Sequence, residues 1–557
     1  MASLKPPRLT GRAMRAAVAA VRSAPGRAIV SRVMRKQLGI DAVRNLGDEW
    51  RGPTPFDVHA VRARRDHWRP SESLGLPTPG AWPRTSATFA DAYRAGRATP
   101  TEIARRAFSE ARRLADRKPA MGPVHLFDED RAMRAARDAS TRWQSGETLG
   151  PLDGVPVVVK EESAIRGLPH TLGTRWKPST PAPDDSAVVA RLRAAGAVIL
   201  GHSPMTEYGM SPLGQNPHRP MPRNPHDVGH LPGGSSSGSA VAVAEGLSPV
   251  ALGADGGGSI RVPACLCGVF GLKPTFGRVS TWGNNTGPGS SMVHVGPIGA
   301  SSVDLAFGLG TMGGHDPRDA STLEGPEIDL GDTLNAIGRG VRGLRIGIDD
   351  NEWRDARSDV GSVGRAALAA LEKEGATLVP VRLSYAPYAA AIGYLTIGLE
   401  FFAGSLEVRR AHMHEVVPDV QIMLSLFEGF AADDFLDAQK LRTGLRRELA
   451  EVLRTVDVVA LPMTKETAPP VTDREATEGF LDPGALDSVS RYVYLGNLAG
   501  LPAGTAPIGR DSRGLPFGIQ ILGDAWDEAC VLQVLAHLER IGLAKSERPS
   551  VWVDLLS

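Results

Sequence analysis

The stretch Gly253-Ala-Asp-Gly-Gly-Gly-Ser-Ile-Arg-Val-Pro263 places three consecutive glycines directly before Ser259. A glycine run lets successive backbone N–H groups converge on one point, because no Cβ restricts the turn. Donors arranged in this way stabilise the negative charge that develops on oxygen during acyl transfer. The stretch therefore indicates an oxyanion site beside a serine nucleophile, although a Gly/Ser stretch taken alone is more often an ordinary turn.

A lysine follows the apolar stretch Gly154-Val-Pro-Val-Val-Val159, which predicts a short buried strand that ends at Lys160. Lysine is the exception in this chain, since only ten of the 63 basic residues are lysines. Arginine does not deprotonate, whereas a buried lysine can become neutral and act as a base. The alternative is a structural lysine in a salt bridge with Glu161 or Glu162. A third stretch, Gly233-Gly-Ser-Ser-Ser-Gly238, brings several hydroxyls into one loop.

Together these stretches closely resemble the amidase signature family, in which the catalytic triad is Lys–cis-Ser–Ser. The resemblance runs from about residue 86 to residue 541. The matching blocks are residues 154–160, 233–240, 253–263, 268–275, 497–502 and 515–520. Within the family, Asn224-Pro-His-Asp227 and the triple serine are most similar to plant-type fatty acid amide hydrolases.

The resemblance assigns a role to each residue of the motif. Lys160 is the base, Ser235 the cis-serine relay and Ser259 the nucleophile, and the two serines stand 24 residues apart, as in the family. The implied oxyanion donors are the backbone N–H groups of Gly256, Gly257, Gly258 and Ser259, and the implied supporting residues are Ser236, Asp255 and Arg261. No cofactor and no metal are implied. Glu161, where Asp is common, and Ala254, where Thr or Ser is common, depart from the family's pattern.

The fold that the resemblance implies is α/β, a large mixed β-sheet flanked by helices on both faces. The chain supports this independently, since residues 187–195 predict a helix and residues 196–200 the strand that follows. A helix of small residues is expected over 240–252, and a helical insertion over 400–455.

The implied activity is hydrolysis of a carboxamide C–N bond to a carboxylate and an amine or ammonia, through an acyl-enzyme on Ser259. The substrate is a small-molecule amide. The apolar stretch 385–402, with Phe427 and Phe430, predicts a pocket for a hydrophobic, aryl or fatty acyl group, unless these residues belong to the core. The alternatives are an A-type glutamine amidotransferase subunit of a tRNA-dependent complex, a carbamate or ester hydrolase on the same triad, and a non-catalytic binding module.

Three other motifs indicate no further chemistry. Ser236 stands in a formal G-x-S-x-G, but residues 222–232 before it contain prolines that a central strand excludes. Residues 308–313 read G-x-G-x-x-G without a clear preceding strand, so a turn or helix packing is expected. His412 and His414 are two positions apart and do not share a helical face, which predicts a solvated helix surface and no metal site.

Composition excludes several classes of protein. The 63 Lys and Arg balance 62 Asp and Glu, which gives no general reason to expect nucleic acid binding. Three cysteines do not form a disulfide framework. No run reaches the ~18–20 uncharged apolar residues of a spanning helix, and the N-terminus lacks the apolar segment of a secretory signal. A cytoplasmic location is expected.

The charge is concentrated at the N-terminus, where residues 1–40 carry nine Lys and Arg and no acidic residue. We expect residues 1–84 to form a basic helical extension of an amidase signature domain that spans residues 85–557. A helical wheel separates an apolar face from a basic face: Val30, Val33, Met34 and Leu38 against Arg32, Arg35 and Lys36. This pattern suits peripheral membrane contact through residues 1–40, a homodimer contact, packing on the domain, or an organelle transit peptide.

Overall fold

The computed structural model describes residues 8–54, 73–78, 80, 82–284 and 290–557. Within these ranges the strands are β1 (Leu9–Thr10), β2 (Leu126–Phe127), β3 (Pro156–Lys160), β4 (Val198–Ser203), β5 (Val250–Asp255), β6 (Phe270–Lys273), β7 (His294–Gly299), β8 (Arg345–Ile348), β9 (Thr377–Pro380), β10 (Val458–Pro462), β11 (Phe480–Leu481), β12 (Ala503–Arg510) and β13 (Pro516–Gly523). The α-helices are α1 (Gly11–Val21), α2 (Ala24–Gln37), α3 (Ile40–Arg44), α4 (Ser86–Arg94), α5 (Pro100–Ala115), α6 (Glu129–Ser145), α7 (Ala187–Ala194), α8 (Ser237–Ala244), α9 (Arg261–Leu266), α10 (Ser302–Met312), α11 (Leu330–Ile337), α12 (Asp350–Asp355), α13 (Ser358–Lys373), α14 (Ala386–Gly404), α15 (Pro418–Phe427), α16 (Ala432–Thr455), α17 (Asp473–Glu478), α18 (Pro483–Ser490), α19 (Tyr494–Ala499) and α20 (Glu528–Arg540). Short 3₁₀-helices lie at Asp48–Trp50, Glu207–Gly209 and Ala320–Thr322, and a π-helix lies at Val408–His412.

A mixed sheet of strands in the order β2-β4-β3-β5-β7-β6-β12-β13-β10-β8-β9 forms the centre of the protein. β3 runs parallel to both of its neighbours, with Val157 opposite Ile199 of β4 and Val250 of β5. β5 and β7 are antiparallel, and β10, β8 and β9 form a second parallel group. Because β3 and β5 are parallel neighbours, their carboxyl ends lie at the same edge of the sheet. Lys160, the last residue of β3, and the glycine run that follows β5 therefore lie at that edge.

Helices cover both faces of this sheet, as predicted. Alternate side chains of β3 enter different core clusters. Val157 and Val159 pack in one cluster with α7, α10 and α20, whereas Val158 packs in another with α5, α6 and α8. A strand that is buried on both faces reads as a continuous apolar run, which explains the three valines before Lys160. The predicted fold class is confirmed.

The predicted helix over 240–252 is wrong in its extent, since α8 ends and β5 begins within that range. The chain reverses at Gly246, where φ is +85°. The N–H of Leu247 there returns to the carbonyl of Ala242. A Cβ on Gly246 would lie 2.7 Å from the ring of Trp82, so this turn requires glycine and the helix stops. The predicted helix over 187–195 and the strand after it correspond to α7 and β4.

α14 forms much of one wall of the later site. It is, among the described residues, a helix long and apolar enough to span a membrane by length and composition, and half of its apolar window is buried inside the protein. It packs against α16 and α19, as a core helix does. The helical insertion, predicted over residues 400–455, begins earlier than residue 400, because α14 already begins at Ala386. Pro387 in the first turn of α14 is compatible with this start, because a helix leaves its first N–H groups without partners.

The described part of the N-terminal extension packs on the rest of the chain. β1 pairs antiparallel with β11, Leu9 opposite Leu481, and α1 and α2 contact α15, whereas α3 contacts α14. Of the predicted apolar face, Met34 is buried but Val33 is 48% exposed. Packing on the domain is thus one role of this segment, and membrane and homodimer contact stay predictions. Residues 1–7 and 55–72 of the extension lie outside the described residues.

Candidate active site

Lys160 ends β3 and is 1% exposed. Its Nζ donates to Ser235 Oγ at 2.9 Å and to the carbonyl of Ala254 at 3.2 Å. The carboxylate of Glu162 lies 2.6 Å from the same nitrogen. Both predicted environments are therefore present: the lysine contacts the serine on which a base would act, and it forms a salt bridge with Glu162.

Ser235 lies in the loop that leads into α8. The Gly234–Ser235 peptide bond is cis. The N–H of Gly234 donates to the carbonyl of Pro212 at 2.7 Å, which fastens the loop just before the serine. Ser235 itself is buried and lines the same cavity as Lys160 and Ser259. The structure thus brings the three predicted triad residues together.

Ser236 connects the serine loop to the glycine run. Its N–H donates to the carbonyl of Ser259 at 3.2 Å. Its hydroxyl donates to the carbonyl of Ala254 at 3.2 Å and accepts the Ala254 N–H at 3.3 Å. Residues 222–232, all of them described, contain no β-strand, so the nucleophile elbow is absent as predicted. Ser236 therefore links the serine loop to Ala254 and Ser259, and its supporting role stays a prediction.

Ser259 lies in the turn between β5 and α9. The N–H groups of Gly256, Gly257 and Ser259 make no hydrogen bond within the part of the chain that the structure describes, and all three residues line the cavity. Gly258 differs, because its N–H donates to Asp255 Oδ1 at 2.6 Å. The prediction of four oxyanion donors is therefore wrong for Gly258, whose N–H the carboxylate accepts, and the other three N–H groups stay candidate donors.

Two glycines of the run are required by the geometry. Gly258 has φ of +101°, a conformation that residues with a Cβ rarely adopt. A Cβ on Gly257 would lie 2.6 Å from the ring of Tyr494. The backbone of the turn consequently approaches the aromatic ring more closely than any other residue type allows.

A buried ion pair fixes this turn. Arg261 Nε and Nη2 donate to the two carboxylate oxygens of Asp255 at 2.9 and 3.0 Å. The same carboxylate accepts the N–H groups of Gly258 and Ile260. Burial raises the pKa of Asp255, but the charge and hydrogen bonds of Arg261 outweigh burial and hold that pKa below its ordinary value. The ionised carboxylate therefore shapes the glycine run, and a supporting role of both residues in catalysis stays a prediction.

Two further polar residues, which the sequence motifs did not single out, complete the network. Asn497 Nδ2 donates to the carbonyl and to the carboxylate of Asp255 at 3.0 and 2.9 Å, and its Oδ1 accepts from Arg261 at 2.6 Å. Gln520 Oε1 also accepts from Arg261. Their positions within the matching blocks 497–502 and 515–520 were the signal that could have identified them.

The three triad residues line a cavity of about 190 Å³ that opens to the surface. Its apolar and aromatic wall is formed by Leu172, Trp176, Tyr208, Met210, Val293, Tyr394, Ile397, Phe401, Val408, Met423, Phe427 and Tyr494. Three residues of α14, within the predicted stretch 385–402, belong to this wall, as does Phe427. Phe430 does not line the cavity, and the Arg44 guanidinium lies 5.2 Å from its ring centroid instead. The helix and Phe427 therefore line a cavity and Phe430 does not, while the binding of an acyl or aryl group there stays a prediction.

The other motifs lie where they carry no chemistry. Gly308 is inside α10, and a Cβ there would lie 2.6 Å from Pro297, so the glycine serves helix packing. His414 is exposed, but His412 stacks on Trp176 with ring centroids 4.1 Å apart, so the expected solvated surface is wrong for His412. Within the described residues no group of His, Cys, Asp and Glu could hold a metal ion.

Comparison with known proteins identifies the family. The family model described as Amidase matches residues 108–532. The chain belongs to the amidase signature family. Among individual proteins, the A-type subunit of glutamyl-tRNA(Gln) amidotransferase from Anaeromyxobacter sp. (strain K) is 38% identical over 447 residues, which is 75% of this chain and 89% of that relative.

Two more similar proteins are named for activities other than amidotransfer. A fatty acid amide hydrolase of Oryza sativa subsp. indica is 32% identical over 474 residues, covering 84% of this chain and 78% of that protein. The structure of native peptide amidase from Stenotrophomonas maltophilia matches with a TM-score of 0.69 and 26% identity, covering 84% of this chain and 98% of the peptide amidase chain. The family and its amide chemistry are thus shared, while the named substrates differ.

Proposed function

We propose that the chain is a serine amidohydrolase that cleaves a carboxamide C–N bond through an acyl-enzyme on Ser259. The observation that carries this proposal is the 2.9 Å hydrogen bond from Lys160 Nζ to Ser235 Oγ, in a cavity that Ser259 also lines. A base, a relay hydroxyl and a second hydroxyl beside unoccupied backbone N–H groups are the parts that acyl transfer requires.

Acylation starts from neutral Lys160. As Ser259 Oγ attacks the substrate carbonyl carbon, its proton passes to Ser235 Oγ, whose own proton passes to Lys160 Nζ. The tetrahedral oxyanion that forms accepts hydrogen bonds from the N–H groups of Gly256, Gly257 and Ser259. The C–N bond then breaks, and the proton returns through Ser235 to the leaving nitrogen, because an unprotonated amine leaves poorly.

Deacylation uses the same groups in reverse roles. Water attacks the acyl carbon and gives a proton through Ser235 to Lys160. The bond between the acyl carbon and Ser259 Oγ breaks, and the proton returns to that oxygen. The products are a carboxylic acid and a regenerated serine, so no group besides water is consumed.

The cavity wall supports a hydrophobic substrate. Aromatic side chains from α14, α15 and α19 face the triad, among them Tyr394, Phe401, Phe427 and Tyr494. Burial of apolar substrate surface against such a wall contributes about 25 cal/mol per Å². Amides with an aryl or long acyl group are therefore the proposed substrates, in line with the likeness to the rice fatty acid amide hydrolase.

A second candidate rests on the 38% identity to the amidotransferase relative. A protein of that kind would use the same triad to release ammonia from glutamine and would act in a complex with other subunits. Carbamate and ester hydrolysis would use the same triad as well, since each forms an acyl-enzyme with a different leaving group.

The test is an assay of the purified chain without ATP, tRNA or partner proteins. The substrates are p-nitroanilides of increasing acyl length, the corresponding p-nitrophenyl esters and carbamates, and glutamine, with Ser259→Ala as the control. Anilide hydrolysis that rises with acyl length supports the proposal. A flat profile contradicts the hydrophobic substrate class. Hydrolysis of glutamine without hydrolysis of any anilide contradicts the proposal in favour of the second candidate.

A further inference from the structure

Lys160 has three acceptors around its side-chain nitrogen. They are Ser235 Oγ at 2.9 Å, the carbonyl of Ala254 at 3.2 Å and Glu162 Oε2 at 2.6 Å. An ammonium group has three N–H donors and no lone pair, whereas a neutral amine has two donors and one lone pair. The resting geometry therefore matches the ammonium form, in which the lysine cannot accept a proton.

The acidic partner is well placed to maintain that form. Glu162 and Lys160 are 7% and 1% exposed. Within the described residues, the Glu162 carboxylate forms an ion pair with Lys160. The backbone carbonyl of Glu162 lies 2.6 Å from His170 Nε2. An opposite charge at such a distance, shielded from water, attracts the ammonium group strongly.

We propose that Glu162 is a positioning residue that holds Lys160 as an ammonium ion in the resting site and thereby sets the pH above which the nucleophile is activated. The proposal rests on the proposed function. For Lys160 Nζ to accept the Ser235 proton, its own proton must first pass to solvent, and the attraction to the carboxylate opposes that loss. Glu162 also lines the cavity, on the same side as the group that it restrains, because Lys160 lines it as well.

Other titratable groups lie near Glu161 and Glu162, the two acidic residues that follow Lys160. They are His125, His170, Lys177, His202 and Arg219. Burial raises the pKa of Glu161, but His125 and Arg219 outweigh burial and lower it to about 2. Burial lowers the pKa of His202 to about 3. Neither group changes its charge near neutral pH.

Two cavity groups provide matched controls. Glu407 lines the cavity and forms no ion pair with Lys160 in the described structure, so Glu407→Gln removes the same charge without the contact. Lys177 also lines the cavity, and burial lowers its pKa, so Lys177→Gln tests whether that lysine produces the pH dependence.

The test measures two rates in full-length protein from about pH 5 to about pH 10: kcat/KM on an anilide and the rate at which a fluorophosphonate labels Ser259. Glu162→Gln is expected to move the midpoint of the acid limb of both rates to lower pH by about one to three units, because a close opposite charge has an effect of that size. Well below both midpoints the variant is then about 10-fold or more faster than wild type. Glu162→Asp keeps the charge at a longer distance and is expected to move the limb in the same direction by less. Both controls are expected to leave the limb unchanged.

The outcomes separate this proposal from the proposed function. An acid limb that stays in place in Glu162→Gln, or moves to higher pH, overturns the role of Glu162. The same conclusion follows if Glu407→Gln moves the limb equally. Labelling of Ser259 with a shifted limb, but without hydrolysis of any amide, supports the role of Glu162 and contradicts the proposed function. Absence of labelling in wild type and variants at every pH overturns both.

Discussion

Arg261 donates two hydrogen bonds to the carboxylate of Asp255, and both side chains are completely buried. The carboxylate in turn accepts the N–H of Gly258, which positions the backbone next to Ser259. An ion pair that has no hydrogen bond to Lys160 or Ser235 therefore shapes the turn that carries the proposed oxyanion donors.

Replacing Arg261 with methionine leaves the Asp255 carboxylate buried without its charged partner. Removing one member of a buried pair destabilises a protein by about 3–5 kcal/mol, so Arg261→Met is expected to lower both the Tm and kcat. The control is Arg354→Met, since Arg354 and Asp350 form an exposed pair 3.7 Å apart that contributes little. Thermal unfolding and steady-state kinetics measure both variants. An Arg261→Met protein with wild-type Tm and kcat would contradict this role of the pair.

Gly257→Ala tests the oxyanion site without removing a charge. The new Cβ would lie 2.6 Å from the Tyr494 ring, so the turn must shift and its N–H groups with it. Loss of one oxyanion donor lowers turnover by ~10²–10³, and kcat is expected to fall by that amount while substrate binding changes less. Gly484→Ala, whose new Cβ has its nearest neighbour at 3.4 Å, is the control and is expected to keep its activity. Equal activity of the two variants would be inconsistent with the site.

Two phenylalanines test the hydrophobic wall. Phe427 lines the cavity and packs against Gly398 of α14, whereas Phe430 lies three residues further on and outside the cavity. Contact with a buried aromatic side chain contributes about 1.5–3 kcal/mol, so Phe427→Ala is expected to raise KM for a long-chain anilide about 10-fold or more. Phe430→Ala is expected to leave that KM unchanged. A KM that is insensitive to Phe427→Ala would remove this wall from the substrate site.

The buried carboxyl group of Asp419 is expected to make the free energy of unfolding depend on pH. Burial, and after it the carboxylate of Glu207, raises the pKa of Asp419 to about 7. An unfolded aspartate has a pKa of about 3.9, so between about pH 4 and 7 the folded protein binds a proton that the unfolded chain has released. This group therefore lowers stability progressively as pH rises through that window.

The matching experiment compares wild type with Asp419→Asn, which keeps the shape and removes the titration. The Tm of the variant is expected to exceed that of wild type at pH 8, and the difference is expected to shrink toward pH 4. Differential scanning calorimetry at several pH values measures it. A Tm difference that is the same at both ends of this range would refute the assignment to Asp419.

Much of the site could be predicted from the sequence, because the triad lies in short blocks with unusual composition. The valine run predicts the strand that ends at Lys160, and the glycine run predicts the turn that contains Ser259. Parallel pairing of β3 and β5 then brings both to one edge of the sheet. The helices on both faces follow from the absence of polar positions in β3.

Contacts between residues distant in sequence were harder to predict. Gly258 was expected to be a donor to the substrate oxygen, but its N–H direction depends on Asp255, whose orientation depends on Arg261. His412 was expected to face solvent, yet it stacks on Trp176, which is far from it in the chain. Such contacts depend on how loops meet in three dimensions, and local periodicity carries no information about them.

The central claim is that Ser259 is the nucleophile, and fluorophosphonate labelling tests it most directly. The protein is treated with the reagent, digested and mapped by mass spectrometry, with Ser259→Ala treated in the same way. We expect one adduct on the peptide that contains Ser259, abolished by the substitution and strongly reduced in Lys160→Ala. An adduct on Ser236, or labelling that persists in Ser259→Ala, would contradict the claim.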